Sequence, residues 1–197
     1  MGVTLVATIS PGPGTMTIAN ASMQNGRPFG LATASGILTG SVLWSCGAAF
    51  GLAAIMAASP WTFELMRYVG ASYLLYLAFK AARSVFAEVA AGRDVRGRRS
   101  LKAAYLQGIA IHLTNPKVIL SFGSVYSVFT PPGTDVGTLL LAVLFLGLQS
   151  ATVFFAYAIL FSIKGVVGFY KRMYRWFEGA FGLVYAAAGL ALFLHAF

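Results

Sequence analysis

Ser10-Pro11-Gly12-Pro13-Gly14 interrupts one long apolar stretch of this chain, and Leu113-Thr114-Asn115-Pro116-Lys117 interrupts another. Proline lacks a backbone donor and its ring collides with the preceding turn, so each site frees backbone polar groups. In hydrocarbon such groups are tolerated only where protein or a polar cavity satisfies them. A matched pair of broken helices in the two halves of a membrane chain points to the binding site of a secondary transporter.

The membrane premise comes from composition. Of 197 residues, 58% are hydrophobic and only 10% charged, and the mean hydropathy is +0.78. Soluble domains carry roughly 25% charge. Six apolar segments, near 2–23, 31–58, 65–83, 103–130, 138–163 and 176–196, are long enough to cross about 30 Å of hydrocarbon at about 1.5 Å per residue. The expected fold is therefore all-α and membrane-embedded, with six transmembrane helices, the first and fourth broken at the proline motifs.

A net charge of +9 would suggest nucleic acid in a soluble protein. Here the charges sit in short connections. The 83–102 connection holds Arg83, Arg93, Arg96, Arg98, Arg99 and Lys102, the 164–175 connection holds Lys164, Lys171, Arg172 and Arg175, and the first holds Arg27. Ala58 to Thr62 and Pro131 to Asp135 contain no Lys or Arg. The positive-inside rule makes the basic connections cytoplasmic and puts both termini outside. The expected surroundings are a lipid bilayer, with no nucleic-acid partner. Cys46 is the sole cysteine, so one chain offers no disulfide and no cysteine-based metal site, and no cofactor is expected. Gly2 to Ile9 is too short, and lacks the basic start, for a cleavable signal peptide.

The halves resemble each other. Arg67-Tyr68-Val69-Gly70-Ala71 opens the third segment and Arg175-Trp176-Phe177-Glu178-Gly179-Ala180 the sixth. Six residues beyond each Gly stand Tyr76 and Tyr185, and the 109-residue spacing between those tyrosines also relates Ser41 to Ser150. These matches predict one transporter domain over 1–197: a first repeat at about 1–83, a basic cytoplasmic loop at about 84–102, and a second repeat at about 103–197. Three spans per repeat force the copies into opposite orientation, the arrangement used for alternating access.

Half-helices that start after the prolines would aim free N–H groups inward, where a partial positive charge suits a carboxylate. Pro11, Gly12, Pro13 and Gly14, with Asn115, Pro116 and Lys117, are the first candidates for substrate binding. A packing kink is the plainer reading of Pro11 and Pro13. Lys117 is the only Lys or Arg in the centre of an apolar segment, a placement that costs about 2.5–3.5 kcal/mol. It reads as a cation for a substrate carboxylate, with snorkelling as the alternative. Asn115 either caps the broken helix or meets the substrate. Ser41, Gln149 and Ser150 are polar enough to line a route, or else bond between helices. No acid falls mid-segment, which leaves His112 as the one titratable candidate for a proton relay. Gly36, Gly40, Gly70 and Gly179 suit close helix packing. Trp44, Trp61 and Trp176 read as interfacial or packing residues.

Pro11-Gly12-Pro13, Gly36-Ile37-Leu38-Thr39-Gly40, Gly70-Ala71-Ser72-Tyr73-Leu74 and Asn115-Pro116-Lys117 together resemble the LysE/RhtB family, in its motif order and over nearly the whole chain. The resemblance implies a bacterial inner-membrane exporter of amino acids or related metabolites, driven by the proton gradient, and not an enzyme. Relatives usually carry a longer apolar stretch before the first motif. They often have Asn or Asp where this chain has Gly14, and commonly Asp where it has Ser41. An accessory membrane subunit would not need Lys117, and a membrane-embedded enzyme would need a nucleophile, base or metal cluster beyond two His and one Cys. The scarcity of soft ligands also disfavours heavy-metal efflux. The substrate, the coupling ion and assembly, a homodimer included, are left open.

Overall fold

Eight helices and no strand occupy the residues that the computed structural model describes, 2–58, 60–84, 100–129 and 133–194. The first apolar segment forms α1 (Gly2–Ile9) and α2 (Pro13–Asn25), and the fourth forms α5 (Leu101–Leu113) and α6 (Pro116–Phe129). The others are α3 (Arg27–Ala58), α4 (Pro60–Ser84), α7 (Val136–Leu160) and α8 (Lys164–Leu194). Most of the basic 84–102 connection falls outside the described residues, as do Pro131 and Pro132.

One difference from the sequence expectation concerns α8. Its helix begins at Lys164, so Arg172 and Arg175 lie exposed on a helix rather than in a connection. Lys and Arg are good helix formers. Hydropathy marks where a helix becomes apolar, not where it begins. The same reasoning covers α3, which starts at Arg27.

Proline and small polar residues set the ends of the half-helices. Pro13 occupies the first turn of α2, where its missing N–H would have had no partner, and Gly12 precedes it in an extended conformation. Pro116 starts α6 in the same way. Asp135 caps α7: its carboxylate accepts from the Thr138 hydroxyl at 2.6 Å and the Thr138 amide at 3.1 Å. Those bonds, the hydroxyl's first, hold the Asp135 carboxyl below its ordinary pKa.

Helix α3 is the centre of the fold. Its buried Ala34 and Ile37 pack with Ile18 of α2 and with Val153, Phe154 and Ala158 of α7. Further along, Ala49 meets Tyr126 of α6 and Leu139 of α7. A separate cluster joins Tyr73, Leu74 and Leu77 of α4 to Phe181 and Tyr185 of α8, with Val6, Ala7 and Ile9 of α1 against it. Helices α3 and α5 cross at backbone contact. A Cβ on Gly36 would run into the Tyr105 carbonyl, and one on Gly108 into that of Thr33. Gly40 packs on His112, whose Cβ would lie 3.0 Å from an added methyl. Tyr105 bonds Thr39 at 3.0 Å and Tyr126 bonds Ser45 at 2.7 Å, so polar pairs also tie α3 to α5 and α6.

On α7 the large apolar side chains Leu140, Leu141, Leu144, Phe145 and Leu148 are each more than half exposed. They repeat at helical spacing on one side, while Val153, Phe154 and Ala158 are buried. Such a continuous apolar surface needs a partner other than water. At about 1.5 Å per residue, the 25 residues of α7 exceed the ~30 Å hydrocarbon core.

Candidate substrate site

Helix α1 ends at Ile9, and the Ser10 amide closes its last turn on the Val6 carbonyl at 2.8 Å. Side chains from three other helices also reach the carbonyls at this end. The Tyr157 hydroxyl of α7 donates to the Ile9 carbonyl at 2.7 Å, and the Tyr185 hydroxyl of α8 donates to that of Val6 at 3.4 Å. Lys117 of α6 donates through Nζ to the Ser10 carbonyl at 3.2 Å and to Ser10 Oγ at 2.7 Å. The cation therefore sits at the gap between α1 and α2, and a Cβ on Gly12 would lie 3.3 Å from its nitrogen. At the start of α2, the Gly12 amide donates to Thr15 Oγ1 at 3.0 Å.

The second gap is built differently. Asn115 is buried, and its Oδ1 accepts from the Lys117 amide at 3.1 Å, which caps α6. Its carbonyl accepts from the Val118 amide at 2.9 Å. Three residues earlier, buried His112 of α5 bonds through Nε2 to the buried Ser41 hydroxyl of α3 at 2.9 Å. The Phe154 ring meets the imidazole edge-on, with centroids 5.9 Å apart. Nδ1 of His112 has no protein partner.

These groups border one cavity of about 80 Å³, several times the ~10–15 Å³ that a water needs on the same measure. Gly12, Gly14, Ser41, His112, Asn115, Lys117, Gln149 and Ser150 all line it. Pro11 and Pro13 do not line it; Pro13 opens α2. The ring of Pro116 lies outside the described residues, although its backbone opens α6. Gly36 sits at the α3–α5 crossing, Gly179 is half-buried in α8, and Gly70 lies in α4 with its packing outside the described residues. Trp61 and Trp176 are exposed, whereas Trp44 is partly buried.

Several lining residues were not expected from the sequence. Thr4 donates to Gln149 Oε1 at 3.3 Å and so brings α1 onto α7. Ser10, Thr15 and Ser121 also face the cavity. A common signal joins them: small hydroxyl residues within one or two turns of a break. None of the described residues lining the cavity is a carboxylate, and no group of three or more metal-ligating side chains occurs among the described residues. The cavity is mostly apolar, with walls of Ala7, Val118, Phe122, Val125, Leu146 and Phe154, and its polar groups include the Lys117 cation and the residues at the starts of α2 and α6.

The sequence pattern of the LysE type translocators matches residues 5–196. The threonine efflux protein of Escherichia coli (strain K12) is 28% identical over 196 residues, 98% of this chain and 94% of that protein. The leucine efflux protein of Salmonella choleraesuis (strain SC-B67) is 31% identical over 141 residues, 67% of this chain and 63% of that protein. An uncharacterized membrane protein of Haemophilus influenzae is 26% identical over 193 residues, 96% and 92% of the two chains. No solved structure matches. With its exposed apolar helix faces, this is a multi-pass membrane protein, and it belongs to the LysE type translocator family.

Proposed function

We propose that this chain is a secondary transporter that exports small amino acids across the bacterial inner membrane, with the proton gradient as its driving force. The efflux names of its relatives support the substrate class. The observation that carries the reading is Lys117. Its ammonium reaches across to Ser10 at the gap between α1 and α2, beside the first turn of α2, and it lines the cavity. A substrate carboxylate can take a charge-assisted bond from the ammonium and further bonds from the amides of that turn.

In this reading α1 with α2, and α5 with α6, are the broken first and fourth of six spans. The halves form a three-plus-three inverted repeat, and both termini face outside. Packing of α3 on α7 and of α4 on α8 supports the repeat, since those are the helices it would pair. So does the placement of Ser41 and Ser150, both buried and both on the cavity. The likeness does not extend to every landmark, for Tyr76 is exposed where Tyr185 is buried.

The test is export of labelled threonine and leucine from proteoliposomes. The unmutated chain should export at least one of them, an amino acid amidated at its carboxyl should be exported poorly, and a protonophore should stop uphill export. Lys117→Met should reduce export to the background of empty liposomes while the chain still inserts. Normal export by Lys117→Met would remove the cation from the mechanism.

A further inference from the structure

His112 presents an unusual atom. Its ring is buried, Nε2 is tied to Ser41, and Nδ1 is enclosed with no hydrogen-bond partner. A buried polar atom left unpaired calls for an explanation such as a ligand that is absent. The Ser121 hydroxyl lines the same cavity, but it lies by Tyr73, and a hydroxyl donates or accepts and so selects no ligand charge.

The rest of the site decides what Nδ1 is for. Lys117 supplies a donor only, and the first turn of α2 supplies amide donors. Both suit a carboxylate, and no described lining residue is an acid that would suit an ammonium. A neutral imidazole that gives its Nε2 proton to Ser41 leaves a lone pair on Nδ1. What covers Nδ1 is the start of α2: a Cβ on Gly14 would lie 3.6 Å from it and 3.7 Å from Cδ1 of Ile37. Thus Gly12 adjoins the ammonium of Lys117 and Gly14 adjoins the acceptor of His112. His112 and Lys117 line the same cavity, where an α-amino acid, with both charges on one carbon, presents a separate end to each.

Resting on the reading of the site as an amino-acid exporter, we propose that it recognises a zwitterion. The substrate's carboxylate goes to Lys117, and its ammonium to Nδ1 of His112, which is reached as the start of α2 moves off α5. Ser41 is then a positioning residue that holds the proton on Nε2.

The experiment pairs L-threonine and L-leucine with their N-acetyl forms on the purified full chain, measured both by binding in detergent and by export from proteoliposomes. The free amino acid should bind at least about 10-fold more tightly than its N-acetyl form, the size expected for a hydrogen bond to a charged group. His112→Gln keeps an amide near Nε2 for Ser41 but no acceptor at Nδ1, and should erase that preference. His112→Asn, whose amide falls near Nδ1, should keep part of it. Gly14→Ala is the second variant. Its methyl would meet only ordinary contacts of 3.6 Å or more, and alanine is the better helix former, so a structural role alone predicts a neutral or stabilising change. The proposal predicts instead that the methyl blocks Nδ1, weakening the free amino acid as His112→Gln does and leaving the N-acetyl form unaffected. Equal handling of free and N-acetyl forms, or an undiminished preference in both His112→Gln and Gly14→Ala, would overturn the zwitterion site and leave amino-acid export standing. Failure to bind or export either amino acid would overturn both.

Discussion

Lys117 and Asn115 are adjacent in function but separable in chemistry. The asparagine side chain caps α6 through the Lys117 amide, while the lysine side chain reaches across to Ser10. Replacing Asn115 by Ala removes the cap and should cost about 1 kcal/mol of stability. Asn115→Asp keeps an acceptor oxygen for the same amide. It also puts an anion on the cavity that the ammonium lines, where it competes with a substrate carboxylate. Asn115→Asp should therefore melt close to the unmutated protein yet bind threonine several-fold more weakly, as thermal unfolding and direct binding would reveal together. Equal loss of stability in both variants would show that the side chain does more than cap.

At the scale of elements, the α3–α5 crossing depends on glycines that leave no room for a methyl. Gly36→Ala must push the Tyr105 backbone away, and overpacking of that kind typically costs about 1–3 kcal/mol. Gly47, on the same helix, has nothing within 4 Å of an added Cβ. Gly47→Ala should be neutral or stabilise the helix, by up to about 1 kcal/mol. Comparing the yield and melting temperature of the two variants tests the crossing directly. Helices end at Ile9 and Leu113 and begin at Pro13 and Pro116, beside the proline and glycine residues that the sequence reading singled out, since such residues act locally. The start of α8 was not legible in the sequence, since basic residues continue a helix as readily as they end an apolar stretch. Nor could the bonds from Lys117 to Ser10 and from Ser41 to His112 be read, because they join residues 107 and 71 positions apart. Spacing along one segment names the polar residues, but packing between segments chooses their partners.

For the whole molecule, the alternation of Arg-rich and Arg-free connections predicts an orientation. In intact cells, a cysteine at Arg96 should be protected from an impermeant thiol reagent, whereas one at Thr134 should react. Cys46, which is partly buried, would first be replaced by Ala. The reverse labelling pattern would invert the orientation. The Asp135 cap beside Thr134 adds a pH limit at that end of α7. Its carboxyl is held below the ordinary value, so the cap's contribution is complete above about pH 3.9 and fades as pH falls through the lowered value. Function at neutral pH does not sense it.

The end of α1 is closed by Lys117, Tyr157 and Tyr185, all from the second half of the chain. Synthesis runs from the N-terminus, so when α1 enters the bilayer none of these partners yet exists. The Ile9 and Ser10 carbonyls must then wait in contact with water, lipid headgroups or the insertion machinery until α6 and α7 arrive. Fastening of this helix end is thus completed late in biogenesis, and a chain arrested before residue 185 leaves its first helix without the last of its three fasteners.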